Sequence, residues 1–228
     1  MAEQATAQGE LLGLVTPALR REVAVRLRTI SALRNRMLLS VGQTTKDVFF
    51  LSSGEVHVVL YSPDGRIVTV QTVRAPAMFG ELAAIDDQPR SASVIAATEV
   101  TLARMAQADF LRCLEDSPAA ALWLARRMAV SIRRLTDQVF ELSALSVGDR
   151  IRCELLRLAN AHLAEDTLIR ISPAPTHAEI ASRVGTHREA VTRELNLLAE
   201  EGILRHGRRW IEVVDLGRLA ASAISAEH

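Results

Sequence analysis

The residues with the most chemical content lie in the stretch FGELAAIDDQPRSASV, Phe79 to Val94. Gly80 permits close approach of the backbone to a bound group. A short helix starting near Glu81 offers free amides for an anion. Arg90 can pair with an anion, Ser91 can donate a hydroxyl hydrogen bond and Glu81 can accept one. Phe79, Leu82 and Ala92 complete the stretch. An unpaired Arg90 in such a pocket is costly, so an anion fits as its partner. The plainer reading is a surface loop with an incidental Glu–Arg pair. The order of glycine, acid and Pro-Arg-Ser-Ala, with strand-like runs on both sides, argues against it.

A second constellation occupies PTHAEIASRVGTHREAVTRELNLLAEEGIL, Pro175 to Leu204. Thr176 with Glu179 fits a capping box, and so does Thr186 with Glu189. Gly185 between them fits the left-handed end of a helix. The expected result is helix, tight turn, helix, with Gly202 ending the second helix. On that helix Ala190, Val191, Leu195 and Leu198 lie at core spacing. Arg188, Glu189, Thr192 and Arg193 share the other face near the N-terminus, next to His187. Arginine can bond guanine O6 and N7 together, and glutamate can accept from cytosine N4. A solvated, salt-bridged face is the plainer alternative, since most charged helix faces are that. The run ILRHGRRWIEVVD then reads as a hairpin whose tip carries Arg208 and Arg209, suited to backbone phosphates.

These groups need elements to position them. Residues 10–35 read as helical, with apolar residues from Leu11 to Ile30 at mixed helical spacing. From Met37 to Ala103 the texture is of short, β-branched runs punctuated by Gly, Pro and Asp, which predicts an antiparallel roll or barrel. Pro63-Asp64-Gly65 predicts a hairpin turn. Ser117 and Pro118 start a long helix to about Leu145. Along it Ala125, Met128, Ile132, Leu135, Val139 and Leu142 form a heptad seam. β-Branched residues at one seam position and leucine at the other favour a parallel two-stranded coiled coil, and hence a homodimer through residues 121–142. An amphipathic helix packed on its own domain is the alternative. Val147-Gly148-Asp149 reads as a hinge before a helix from Arg150 to about Ala164. The expected fold is α+β in three parts: a sensor domain over 1–116, a dimerising helix over 117–146 and a winged helix-turn-helix over 147–228.

Several function classes lose support. No run of about 18 apolar residues occurs, so no membrane partner is expected. The N-terminus lacks the basic start and apolar run of a signal peptide, which predicts a cytoplasmic protein. Cys113 and Cys153 show no metal-ligand spacing, and the six histidines form no metal pair, so no metal is expected. No general base accompanies Ser91 and the carboxylates form no convincing pair, so no catalytic residues are assigned. The formal net charge is zero, so the case for nucleic acid rests on local charge placement. Lys46 is the only lysine, so the positive charge is almost all guanidinium.

From Met37 to Asp215 the chain resembles the catabolite activator (cAMP receptor protein) and FNR family of transcription regulators. The Phe79–Val94 stretch resembles the phosphate-binding cassette of cyclic-nucleotide-binding domains, and the later elements follow the family order. The resemblance implies a ring phosphate at Arg90 and Ser91, and a ribose 2′-hydroxyl at Glu81. Arg188, Glu189 and Arg193 match the family's three base-reading positions, which implies a palindromic, TGTGA-like operator in double-stranded DNA. It further implies Thr176, Thr186, His187, Thr192, Arg208 and Arg209 as DNA contacts, and RNA polymerase as a partner. An N-terminal cysteine cluster and a candidate haem ligand are lacking, so no iron–sulfur cluster or haem is expected. Where the cAMP-dependent activator carries two hydroxyl residues against adenine, this chain has Leu135-Thr136, so only Thr136 supplies a hydroxyl. The effector reading is cAMP, with cGMP as the alternative. Two further alternatives are a family member that binds DNA without a nucleotide, and a ligand-binding module without DNA activity.

Overall fold

The computed structural model describes residues 7–63, 65, 67–161 and 169–224. The chain divides into two compact units, Met1–Ile132 and Arg133–His228. In the first unit α1 (Ala7–Gly13) and α2 (Pro17–Arg26) precede the strands β1 (Arg28–Ala32), β2 (Met37–Leu39), β3 (Val48–Ser53), β4 (Glu55–Tyr61), β5 (Ile67–Arg74) and β6 (Ala77–Phe79). Then come α3 (Glu81–Asp86), β7 (Ser93–Ala96), β8 (Val100–Met105), α4 (Gln107–Asp116) and α5 (Pro118–Ala144), within which the two units divide.

The strands form two four-stranded antiparallel sheets, ordered β1-β8-β3-β6 and β2-β7-β4-β5. Leu51, Val56, Phe79, Ala96, Val100 and Leu102 fill the space between the sheets. A second cluster joins Phe50, Met105, Phe110 and Cys113 to Leu11, Val23 and Leu124 of the helices. The expected antiparallel roll is therefore present. At the β4–β5 connection Gly65 takes φ 80° and donates its amide to Ser62 at 2.8 Å. Asp64 of the expected turn lies outside the described residues.

The continuous helix expected over 10–35 is not formed. Pro17 cannot continue α1 and instead occupies the first turn of α2. Thr16, which precedes it, donates its amide to Asp116 Oδ2 at 2.9 Å, so a carboxylate from the end of α4 closes this break. Residues 28–32 go into β1, where Arg28 to Ala32 pair with Arg104 to Val100. The amphipathic spacing of this segment gave way to the ladder that β8 offered.

The second unit contains α6 (Val147–Asn160), β9 (Ile169–Ile171), α7 (His177–Val184), α8 (Arg188–Glu200), β10 (Leu204–Gly207), β11 (Trp210–Val213) and α9 (Leu216–Ile224). Ile151, Leu155, Ile180, Val191, Leu195, Leu198, Ile211 and Leu219 make one core. Val147-Gly148-Asp149 is not a hinge: it forms the first turn of α6. Ser146 caps that turn by accepting from the Asp149 amide at 3.2 Å, while its hydroxyl donates to Asp149 Oδ2 at 2.5 Å. The break after α5 therefore falls at Leu145-Ser146. Residues 162–164 of the expected helix lie outside the described residues.

Candidate functional site

Gly80 ends β6 with φ 84° and is the N-cap of α3. A Cβ there would sit 2.9 Å from Arg90 Nη1, so both backbone and space demand glycine. Arg90 is buried, 4% exposed as a whole residue. Nη1 donates to the Gly80 carbonyl at 2.6 Å and Nη2 to the Asp47 carbonyl at 2.7 Å, while Nε has no partner. Among the described residues no carboxylate lies within ion-pair distance of it. Asp47 Oδ2 instead accepts from Arg104 Nε at 2.7 Å. Burial pulls the Arg90 guanidinium below its usual value, partly offset by Asp47 and Glu81. A buried guanidinium without an ion-pair partner is unusual and retains donor capacity for an anion.

Glu81, at the first position of α3, faces a cavity of about 600 Å³. Gln71 and Val73 of β5, Ala77 and Met78 of β6 and one side of α5 from Ala119 to Ser131 form its other walls. Trp123 and Arg127 stand there together, the guanidinium 5.1 Å from the indole centroid. Glu10 of α1 holds the pair: Trp123 Nε1 donates to its Oε2 at 3.0 Å, and Arg127 Nη1 lies 3.8 Å away. Burial pushes the Glu81 carboxyl up, opposed by its own amide and by Arg127 and Arg90. Of the candidate effector-site residues read from the sequence, only Glu81 lines this cavity, joined by Met128 of the seam. Phe79 is a core residue, its ring stacked on Phe49 at 5.4 Å and buried. Leu82 and Ser91 are exposed and Ala92 is half-buried. The neighbouring Ser93 is fully buried and accepts from the Val41 amide at 3.0 Å, a structural role.

In the second unit, Thr176 and Glu179 form the expected capping box: Glu179 donates its amide to Thr176 Oγ1 at 3.2 Å, and Thr176 donates its amide to Glu179 Oε2 at 2.6 Å. Gly185 closes α7 with φ 68°. The second expected box is not formed. Thr186 gives its amide to the Ala181 carbonyl at 3.0 Å, extending the closure of α7, and His187 becomes the N-cap of α8, its side chain making no cap bond to the helix amides. Arg188, Glu189 and Arg193 are exposed on one face of α8, while Val191, Leu195 and Leu198 are buried on the other. Thr192 is half-buried: its Oγ1 lies 2.8 Å from His177 Nδ1 and donates to the Arg188 carbonyl at 3.1 Å.

β10 and β11 pair antiparallel and β9 adds a third strand. The turn is Arg208-Arg209, with Arg209 at φ 67°. Gly207 lets the Trp210 indole lie across the hairpin, since a Cβ there would meet Nε1 at 2.5 Å. Arg170 covers the same ring at 5.1 Å. Two exposed guanidinium groups are thus set at the tip of a braced hairpin beside α8.

The family described as cyclic nucleotide-binding domain matches residues 29–117, and the Crp-like helix-turn-helix domain matches residues 149–222. A Thermus thermophilus protein described as cyclic AMP receptor protein is 32% identical over 75% of this chain and 77% of its own length. The chain belongs to the CRP/FNR family of transcription regulators. A CRP-like cAMP-activated global transcriptional regulator of Mycobacterium tuberculosis is 29% identical, over 92% of this chain and 94% of its own. A solved CRP/FNR-family regulator from Thermus thermophilus is 26% identical, with a TM-score of 0.70, covering 87% of this chain and all of its own.

CRP/FNR-family proteins are regulators rather than enzymes, and they bind DNA through the helix-turn-helix. Gln71, Trp123 and Arg127 at the cavity and His177 and Asn196 beside the α8 face belong to no motif of this CRP/FNR chain. Trp123 and Arg127 stand at i, i+4 on α5, a signal that was available but points as readily to helix surface. His177 carries no signal at all until α7 and α8 are packed. Among the described residues, no group of three His, Cys, Asp or Glu could hold a metal, and no helix is long and apolar enough to cross a membrane. Cys113 is buried, its thiol pushed up to about 11, and so is no reactive thiolate.

Proposed function

We propose that this chain is a cyclic-nucleotide-switched regulator, with cAMP as effector, that binds a palindromic TGTGA-like operator as a homodimer. The observation that carries the reading is Arg90: a buried residue, 4% exposed, its guanidinium held by two carbonyls beside Gly80 and the start of α3. That arrangement suits a cyclic phosphate, with Ser91 as a further donor, Glu81 as acceptor for the ribose hydroxyl and Phe79, Leu82 and Ala92 as backbone or apolar frame. Thr136 is assigned to the purine. The cAMP-activated relatives favour adenine. The apolar Leu135 beside Thr136 and the exposed Ser91 hydroxyl keep guanine as the competing reading.

Ile132, Leu135, Val139 and Leu142 of the seam are 63%, 41%, 63% and 48% exposed on the single chain. A second copy packed along residues 121–142 would cover them. Arg188, Glu189 and Arg193 are assigned to base edges. Thr176, Thr186, His187, Thr192, Arg208 and Arg209 are assigned to the neighbouring backbone or to support of the reading face. Kinship supports RNA polymerase as a further partner and the cytoplasm as the place of action. The division into sensor (1–116), dimerising helix (117–146) and DNA-binding domain (147–228) belongs to the same reading. Effector binding acts by favouring the DNA-competent setting at the Leu145-Ser146 break, and a near-complete switch needs about a ten-thousandfold preference for that setting.

Calorimetry with cAMP and with cGMP tests the reading. Wild type binds one of them, and Arg90→Leu loses at least about a hundredfold in affinity, as expected when a charge-assisted phosphate contact is removed. Equal binding by the variant would overturn the cassette assignment. Tighter binding of cGMP would move the effector to the alternative.

A further inference from the structure

We infer that His177 is a positioning residue of the DNA-binding helix pair and that it couples operator binding to the uptake of a proton. The inference rests on the DNA-binding reading above and adds a device to it.

His177 is the first residue of α7, directly after the capping Thr176. Its Nδ1 lies 2.8 Å from Oγ1 of Thr192 on α8, and that hydroxyl also donates to the Arg188 carbonyl at 3.1 Å. A threonine has one hydroxyl proton. With it directed to Arg188, Nδ1 must carry a hydrogen and donate, which leaves Nε2 as the basic nitrogen. The clasp joins the start of α7 to the first turns of α8. It fixes the Thr192 side chain between Arg188 and Arg193, two of the residues assigned to base edges.

The surroundings decide what protonation does. His177 lines a cleft of about 710 Å³ with Arg188 of α8, His206 of β10, and Arg208 and Arg209 of the turn. The His177 and His206 ring centroids are 6.2 Å apart. None of the cleft-lining residues is acidic. On its own helix the nearby carboxylate is that of Glu179, which already accepts from the Thr176 amide at 2.6 Å. Burial, His206 and Arg188 together hold the imidazole below its ordinary value, so it is neutral at neutral pH in the free protein.

Duplex DNA reverses the balance. Phosphates brought against Arg208, Arg209 and the N-terminus of α7 put negative charge into a cleft whose charged lining is otherwise arginine. The protonated form is then favoured in the complex, through Nε2, while the Nδ1 donor to Thr192 is kept. A group that binds its proton more tightly in the complex makes affinity rise as pH falls through the interval between the two values. Above that interval the ring is neutral in both states and affinity is flat. The limit is tenfold per pH unit for each half-site.

The test measures, by fluorescence anisotropy, the affinity of the full chain for a 40-base-pair duplex with inverted TGTGA half-sites. Ionic strength is constant, pH runs from 5.5 to 8.0, and cAMP is either present or absent. Wild type should tighten as pH falls, and His177→Gln should lose up to one proton per half-site from the slope of log Kd against pH. His177→Gln, whose amide still offers a donor to Thr192, should bind more tightly at pH 8.0 than His177→Phe, and that difference reads the positioning role. Identical slopes for wild type and His177→Gln would overturn the proton coupling alone. Equal affinities of the Gln and Phe variants would overturn the clasp. No binding by wild type at any pH, with or without cAMP, would overturn the DNA reading itself and this inference with it.

Discussion

Arg152 of α6 donates from Nε to Oε1 of Glu194 on α8 at 2.6 Å. The contact ties the helix that follows α5 to the buried side of α8. Glu194 is buried, and Arg152 Nη1 also donates to the Ser222 carbonyl of α9 at 3.1 Å. Gly148 leaves room for the carboxylate, since a Cβ there would sit 3.1 Å from Glu194 Oε2. One arginine thus links three helices of the second unit.

Replacing Glu194 with alanine leaves that guanidinium partly buried and without its closest carboxylate. The expected loss is about 2 kcal/mol of stability, as for a hydrogen bond to a charged group. Urea denaturation of the wild type and Glu194→Ala checks it, and unchanged midpoints would mean that the pair is replaced by water without cost.

Glu81→Gln should change stability in a pH-dependent way. Burial pushes the carboxyl up, so the folded chain holds this proton more tightly than the unfolded chain. Stability is then lost as pH rises through the interval above the usual carboxylate value. The amide has no charge to bury. The variant should melt higher than the wild type at pH 7.5, and the two should converge by about pH 4. Melting followed by circular dichroism at both pH values decides it, and a constant offset would remove burial of the charge as the cause.

The seam is tested by Leu135→Lys. A lysine at a central seam position opposes its own copy in a parallel pair. The variant should sediment as a smaller species than the wild type at the same concentration. A dimer that persists unchanged would place the interface elsewhere.

Glu189→Ala addresses base reading. Removing one acceptor at a base edge should relax preference at one position of each half-site by about 1–3 kcal/mol, with the rest of the operator read as before. Binding to a panel of singly substituted duplexes measures this. A uniform loss across the panel would make Glu189 a supporting residue instead.

The elements and their order were legible because their signals are local. A turn glycine at 65, β-branched runs, a capping box at Thr176 and Glu179 and a glycine at 185 each act over a few residues. Three local signals failed for physical reasons. Helical spacing over 28–32 lost to a five-residue ladder with β8. The glycine at 148 looked like a hinge, yet Ser146 caps a helix through it. Thr186 looked like a cap, yet its amide was already engaged in closing α7.

By itself, then, the sequence determined the two families of element, the glycine-to-arginine segment from Gly80 to Arg90 and the charged face of Arg188, Glu189 and Arg193. Each of these is set by residues close together in the chain. Tertiary structure alone decided that Arg90 is buried against the Gly80 and Asp47 carbonyls without an ion-pair partner. It alone brought Glu10 to Trp123 and Arg127, and His177 to Thr192. Those partners come from separate elements, and no spacing along a chain encodes a contact that only packing creates.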